Sequence, residues 1–369
     1  MLDLKAFEKQ TIPAMYEEAK DNDLKEIIRK QKEKLGKKLV LLAHHYQKDD
    51  IVEFADEVGD SLELAKKVQN YKQAETIVFC GVHFMAETAD MLTDKKQKVL
   101  LPDMTAGCSM ADMASADQLQ VAWHKLEALF KETILPVTYI NSTAEVKAFV
   151  GRHGGVTVTS GNAKEVVSWA FTQKKRILFL PDQHLGRNTA YHLGVALKQM
   201  AMWHPATKDL SYKGNLQDVR VILWEGFCSV HQQFTPLQIK RMRKLFPDIK
   251  VIVHPECRKD VVDLADDFGS TAKLIKLTYE AKSKDRLAIG TDNNLVGRLQ
   301  KIMKEKGVFV HFLNPMACAC LTMNRIDLPH LAWILDELAA GRVENQITVS
   351  ADTTKWAQVA LNKMLELTK

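Results

Sequence analysis

The stretch HHYQKDDIVEFADEVGDS, residues 44–61, returns as HPECRKDVVDLADDFGST at residues 254–271, an offset of 210 positions. The offset pairs His44 with His254, Gly59 with Gly269 and Ser61 with Thr271, and further along it pairs Cys108 with Cys318. Ile51, Phe54, Ala55 and Val58 match Val261, Leu264, Ala265 and Phe268. Their i, i+3, i+4, i+7 spacing predicts an amphipathic helix over this part of both copies. A looser third copy lies between them and ends in Cys228. Three repeats that each deliver one cysteine point to one metal centre on a three-fold axis.

Working outward, short apolar runs alternate with helical patterns in each copy. The first copy carries strands at 38–43, 76–80 and 98–101, and the third at 250–253, 286–289 and 308–312. Gly81 and Gly290 sit at matching places, 209 residues apart. The second copy has runs at 136–140, 156–159, 176–180 and 220–224, and the polar stretch 204–217 reads as an inserted surface loop. Apolar strands without alternation, interleaved with helices, predict parallel sheets covered on both faces. The expected organisation is a charged helical segment at 1–35, αβα repeats at 36–130, 131–246 and 247–340, and a C-terminal segment at 341–369. Sites in such sheets gather at the carboxyl ends of the strands. The polar motifs of all three repeats fall there, so they can share a central cleft.

The 369 residues carry a net charge of +5, with lysines and arginines scattered among nearly as many acids. No basic block with interleaved aromatics argues for nucleic acid, and small anionic substrates suit a mildly basic site better. No apolar run reaches the length needed to span a bilayer. The N-terminus shows no apolar leader core, so we expect a cytoplasmic protein. In a reducing compartment the six cysteines read as metal ligands or catalytic groups where they lie on loops.

Three thiolates on an iron–sulfur cluster leave one iron open as a Lewis acid, which reads as a dehydratase-type centre. Zinc is the competing metal, although Cys318-Ala-Cys320 is short for a chelating pair. The offset selects Cys318 over Cys320. Cys80 ends an apolar strand and reads as a core thiol, and Cys257 reads as a core thiol or a site residue. Ser61, Ser160 and Thr271 each stand just before a helix, where a hydroxyl can cap and backbone N–H groups favour an anion. His44, Tyr46, His254 and Glu256 hold matching places in two repeats and can move protons, with His231 beside Cys228. Tyr139 and Asn141 take the equivalent place in the second repeat as substrate hydrogen-bonders.

These residues resemble the quinolinate synthase family. The matching segments include LLAHHYQKDDIVEFADEVGDSLELAK, LLPDMTAGCSMADM, TYINSTAEVKAF, TSGNA, LPDQHLGRN, WEGFCSVH, VHPECRKDV, GSTAKLI, IGTDNNLVGRL and CACLTMN, from about residue 38 to 326. The resemblance implies three αβα domains around a pseudo-three-fold axis with a central active-site cavity. It implies a [4Fe–4S] cluster with one iron free of protein ligands, held by Cys108, Cys228 and Cys318. It implies condensation of iminoaspartate with dihydroxyacetone phosphate to quinolinate, with loss of phosphate and two waters, as a step of NAD biosynthesis. The enzyme supplying iminoaspartate is then an expected partner. Tyr46, Glu256 and His231 would be catalytic. His44, Ser61, Tyr139, Asn141, Ser160, His254 and Thr271 would bind substrate. Another iron–sulfur hydro-lyase, a non-catalytic iron–sulfur sensor and a zinc protein are the competing readings.

Overall fold

Strands form where the chain is continuously apolar. In the computed structural model, which describes residues 9–316 and 319–368, the first strand, β1 (Leu39–His44), is buried along its whole length. Burial on both faces is what an interior parallel strand demands. The expected α/β class is observed, with three mainly parallel sheets. Residue contacts divide the chain into two compact units, Met1–Cys108 with Ala319–Val349, and Ser109–Cys318 with Ser350–Lys369.

The first unit holds β1, β2 (Glu57–Gly59), β3 (Thr76–Cys80) and β4 (Lys98–Leu100) in the order β4-β3-β1-β2. The late strand Gln346–Ile347 adds antiparallel to β4. The helix Asp21–Leu35 buries Leu24 and Ile28. It is tied to the later helix Leu328–Ala339 by Gln31, which donates to Asp336 at 2.6 Å.

The second unit holds two sheets. One contains β5 (Ile134–Tyr139), β6 (Val156–Val158), β7 (Arg176–Leu180), β8 (Met200–His204), β9 (Asp209–Ser211) and β10 (Val221–Trp224), in the order β6-β5-β7-β10-β8-β9. The other contains β11 (Lys250–Val253), β12 (Asp267–Phe268), β13 (Arg286–Gly290) and β14 (Phe309–Phe312), in the order β12-β11-β13-β14. Trp203, Trp224, Trp123 and Leu178 anchor the core against the first sheet, and Val251, Val253, Val261 and Phe234 anchor that against the second. The helix Ala351–Leu367 lies against Ala144–Arg152. Only glycine fits at Gly151, because a Cβ there would stand 1.9 Å from the Trp356 carbonyl oxygen.

The repeat holds to the residue, and it corrects three readings. The expected helix through Val58 and Phe268 is one turn, Asp49–Val52 in the first copy and Lys259–Val262 in the third, followed by the edge strands β2 and β12. An aspartate makes the change. The Leu41 N–H donates to Asp56 Oδ2 at 2.7 Å, and the Asp56 N–H donates back to the Leu41 carbonyl at 2.8 Å. Val251 and Asp266 repeat both bonds at the same two distances. This side-chain competition ends the helix and aligns the chain as a strand. Second, Ala43 pairs with Cys80 and Val253 with Gly290, so Gly290 matches Cys80 rather than Gly81 and the offset stays at 210. Third, the polar stretch after residue 203 supplies the turn and second strand of a β-hairpin, with β8 parallel to β10 and β9 antiparallel to β8. The hidden strand, β9, turns only Leu210 toward the core and leaves Asp209 and Ser211 exposed, so its sequence reads as a loop. Among the described residues no helix is long and apolar enough to cross a membrane.

Candidate active site

In the second unit, polar side chains converge at the carboxyl ends of β5, β7, β10, β11 and β13. Glu256 is their hub. Only 3% exposed, it lies three residues beyond β11 and two after His254. His231 Nδ1 stands 2.8 Å from Glu256 Oε2, and His231 Nε2 stands 3.1 Å from Thr291 Oγ1, just past β13. A carboxylate only accepts, so Nδ1 carries the proton of that bond. The His254 ring stacks on His231 at 4.4 Å, and Tyr139 at the end of β5 also hydrogen-bonds Glu256. Burial pushes the Glu256 carboxyl up. The imidazoles of His254 and His231 and the bonds from His231 and Tyr139 outweigh burial and hold it at about 2. Burial lowers His254 to about 3, so that ring is neutral.

Cys228 lies in the turn after β10, half-buried. Its Sγ, a His231 nitrogen and a Glu256 oxygen all fall within 4.8 Å of one another. A thiol, an imidazole and a carboxylate at this spacing form a metal-binding donor set. Sequence reasoning missed two neighbours, Asp182 and Thr291, both 0% exposed. Asp182 follows β7, and burial together with the charge of Glu256 pushes its carboxyl well up. The one available signal was position, since both residues lie just beyond the carboxyl end of an apolar strand.

Asn141 follows β5, and its buried Oδ1 has no hydrogen-bond partner among the described residues. Ser160 lines a cavity of about 340 Å³ with Gly161, Lys164, Pro255, Ser270 and Lys273. The capping expectation is corrected at all three hydroxyls. Asp60 caps the helix Ser61–Lys67, accepting from the Leu62 and Glu63 N–H groups. Ser270 caps Thr271–Glu280, accepting from the Lys273 N–H. Asn162 takes the cap position before Ala163–Gln173. Ser61 and Thr271 are therefore first helical residues, and the cap sits one position earlier in both copies.

In the first unit, His44 ends β1 and is 4% exposed. The Tyr46 N–H donates to its Nδ1 at 3.1 Å, and the two rings meet edge to face at 4.6 Å. The third repeat has the same bond, with the Glu256 N–H donating to His254 Nδ1 at 3.4 Å. His45 turns instead to Glu63, 3.4 Å away. Half-buried Cys108 follows a loop shaped by Asp103, whose Oδ1 accepts from the Thr105 N–H at 2.7 Å.

The remaining cysteines separate by burial. Cys80 and Cys257 are 0% exposed and burial pushes both thiols up, which opposes the thiolate a metal needs. Cys257 Sγ faces the Gly290 carbonyl at 3.8 Å and is a core thiol. Cys320 is half-buried, 3.5 Å from Thr322 Oγ1. Cys318 lies outside the described residues.

Comparison with known proteins agrees with these features. The family described as Quinolinate synthetase A protein matches residues 25–366. A quinolinate synthase of Bacillus cytotoxicus is 56% identical over 355 residues, 96% of each chain. One from Listeria innocua is 55% identical over 364 residues, 99% of each chain. One from Anoxybacillus flavithermus is 55% identical over 355 residues, 96% of each chain. The chain belongs to this family and is an enzyme.

Proposed function

We propose that this member of the quinolinate synthetase A family condenses iminoaspartate with dihydroxyacetone phosphate, releasing phosphate and two waters, to make quinolinate for NAD biosynthesis. Three αβα domains at 36–130, 131–246 and 247–340 would supply one ligand each, Cys108, Cys228 and Cys318, to a [4Fe–4S] cluster. The donor chemistry fits, because the buried, protonated thiols of Cys80 and Cys257 are poor ligands while Cys108 and Cys228 lie half-buried on loops. When bound, such a cluster with one iron free of protein supplies a Lewis acid that assists loss of hydroxide.

The chain's own residues would manage the protons and the anionic groups. The observation that carries this reading is the His231–Glu256 pair, 2.8 Å apart and almost fully buried beside Cys228. Its carboxylate is ionised at neutral pH and is the proton acceptor of the site. His231 would hold the shared proton at Nδ1 and orient the carboxylate. Tyr46 would supply the phenolic proton. His44 and His254 would offer N–H donors to substrate oxygens, and Tyr139 and Asn141 would hold the substrate in register. Ser61, Ser160 and Thr271, each at or near a helix start, would receive carboxylate or phosphate. Iminoaspartate hydrolyses readily in water, which favours delivery by direct contact with the enzyme that makes it.

Anaerobically purified protein, assayed for iron, sulfide and quinolinate formation from the two substrates, tests this reading. About four irons per chain together with product is the expected result. The Cys228, His231 and Glu256 donor set also suits zinc. Stoichiometric zinc without sulfide would replace the cluster reading.

A further inference from the structure

Asp182 and His184 take no part in the chemistry proposed above, yet the Cys228 turn is fastened to them on both sides. Asp182 is 0% exposed. Its Oδ1 accepts the Leu185 N–H at 2.6 Å, and the N–H groups of His184 and Cys228 also direct their positive ends at the carboxyl. Among the described residues its buried Oδ2 has no hydrogen-bond partner. On the other side, the Cys228 carbonyl accepts the Gln232 N–H at 2.9 Å. Gln232 Oε1 in turn lies 2.6 Å from His184 Nε2. Arg187 can only donate, and its Nη1 stands 3.1 Å from His184 Nδ1. That bond places the imidazole proton on Nε2, where it is donated to Gln232. Between these two holds, Asp182 bridges Gly226 in parallel register and the Gln183 N–H donates to the Gly226 carbonyl at 2.9 Å. The approach is so close that a Cβ on Gly226 would stand 2.4 Å from the Pro181 carbonyl oxygen.

We propose that Asp182 and His184 are positioning residues for Cys228, a clamp that fixes the peptide planes on both sides of the cysteine and so aims its sulfur at the cluster. The proposal rests on Cys228 being a cluster ligand. A side chain hanging from a turn inherits the freedom of its two flanking peptide groups. Holding one by its N–H and the other through its carbonyl removes that freedom before any iron arrives. Residues that orient metal ligands without touching the metal govern how firmly it is held.

The test uses anaerobically purified holoenzyme in five forms: wild type, Asp182→Asn, Asp182→Ala, His184→Phe and Gly226→Ala. Iron and sulfide per chain, the cluster's electron paramagnetic resonance and the rate of iron transfer to a ferrous chelator are measured. Asp182→Ala and His184→Phe should release iron about tenfold faster or more, the scale seen when ligand-orienting partners are lost. Asp182→Asn keeps an acceptor oxygen and should stay close to wild type. Gly226→Ala touches neither side chain but opens the same turn, and it should behave like Asp182→Ala. If Asp182→Ala does not fold, His184→Phe carries the test from the opposite side. Equal release rates in wild type, Asp182→Ala and His184→Phe overturn the clamp. Lability of Asp182→Asn equal to that of Asp182→Ala also overturns it, because the effect would then belong to charge and not to the acceptor. An iron-free wild type overturns the cluster reading and the clamp with it, whereas an iron-replete wild type with unchanged variants overturns the clamp alone.

Discussion

Replacing His231 by Phe isolates the pair at the centre of the site. The new ring keeps the volume and the stack on His254, 4.4 Å away, but removes both nitrogens. Glu256 then loses the donor 2.8 Å from Oε2. In the wild type its carboxyl is held at about 2 against an ordinary 4.5. That difference corresponds to about 3 kcal/mol of stability at neutral pH. A depressed carboxyl contributes its stability above about 4.5 and loses it as pH falls toward about 2, so the wild type draws the full amount at pH 6 to 8. The variant loses the two His231 contributions that lower the carboxyl, while burial, the largest influence of all, remains, so the carboxyl moves up from its wild-type position. The folded variant then binds a proton more readily than the folded wild type, so its deficit is fully present above the titration range and fades as pH falls through it. Urea unfolding followed by tryptophan fluorescence, under anaerobic conditions at pH 4, 6 and 8, should show a deficit of about 1 to 3 kcal/mol at pH 8, the cost of leaving a buried charged acceptor without its donor. The deficit should shrink at pH 4, where the carboxyl begins to take up its proton. A variant as stable as the wild type at pH 8, or a deficit that grows on acidification, would refute the assignment of Glu256 as a carboxylate held ionised by His231.

Glu256→Gln keeps the shape of the site but cannot accept a proton, so turnover should fall by about 10² to 10⁴ with iron content unchanged; a normal rate would remove Glu256 from the chemistry. Cys228→Ser should lose iron and activity together, whereas Cys257→Ser, altering a core thiol facing the Gly290 carbonyl, should retain both; the reverse pattern in an iron assay would exchange their roles. Gly151→Ala should cost about 1 to 3 kcal/mol, because its Cβ would stand 1.9 Å from the Trp356 carbonyl oxygen and force the two helices apart. An unchanged melting temperature would show that the contact yields freely.

The strands were legible because their apolar runs need no partner to be recognised. Thr76–Cys80, Arg176–Leu180 and Lys250–Val253 match the sequence reading residue for residue. Periodicity failed at residues 53–58 because it cannot see a side chain folding back. Asp56 takes the Leu41 N–H, and the chain that reads as helix becomes an edge strand. The capping misreading has a similar origin, since Asp60-Ser61 and Ser270-Thr271 each offer two adjacent capping groups and only geometry chooses between them. Within the site, His231, His254 and Glu256 could be named from spacing. Asp182 and Thr291 could not, because their importance lies in complete burial, which the identity of a residue does not report.

The duplicated motif also explains why two of its histidines suit binding better than proton transfer. His44 accepts the Tyr46 N–H at Nδ1, and His254 accepts the Glu256 N–H at the same atom. A neutral imidazole that accepts at Nδ1 must carry its proton on Nε2. Burial reinforces this for His254, which at about 3 stays neutral throughout the working range of pH. Each ring is thus a fixed neutral donor, suited to a substrate oxygen and unable to act as a base through Nδ1. The residue two positions on is where the copies differ, a phenol at Tyr46 and a carboxylate at Glu256. A condensation that expels water needs one group that yields a proton and one that takes it. On this reading the repeat kept the donor and its backbone bond, and let the adjoining residue diverge into an acid in one copy and a base in the other.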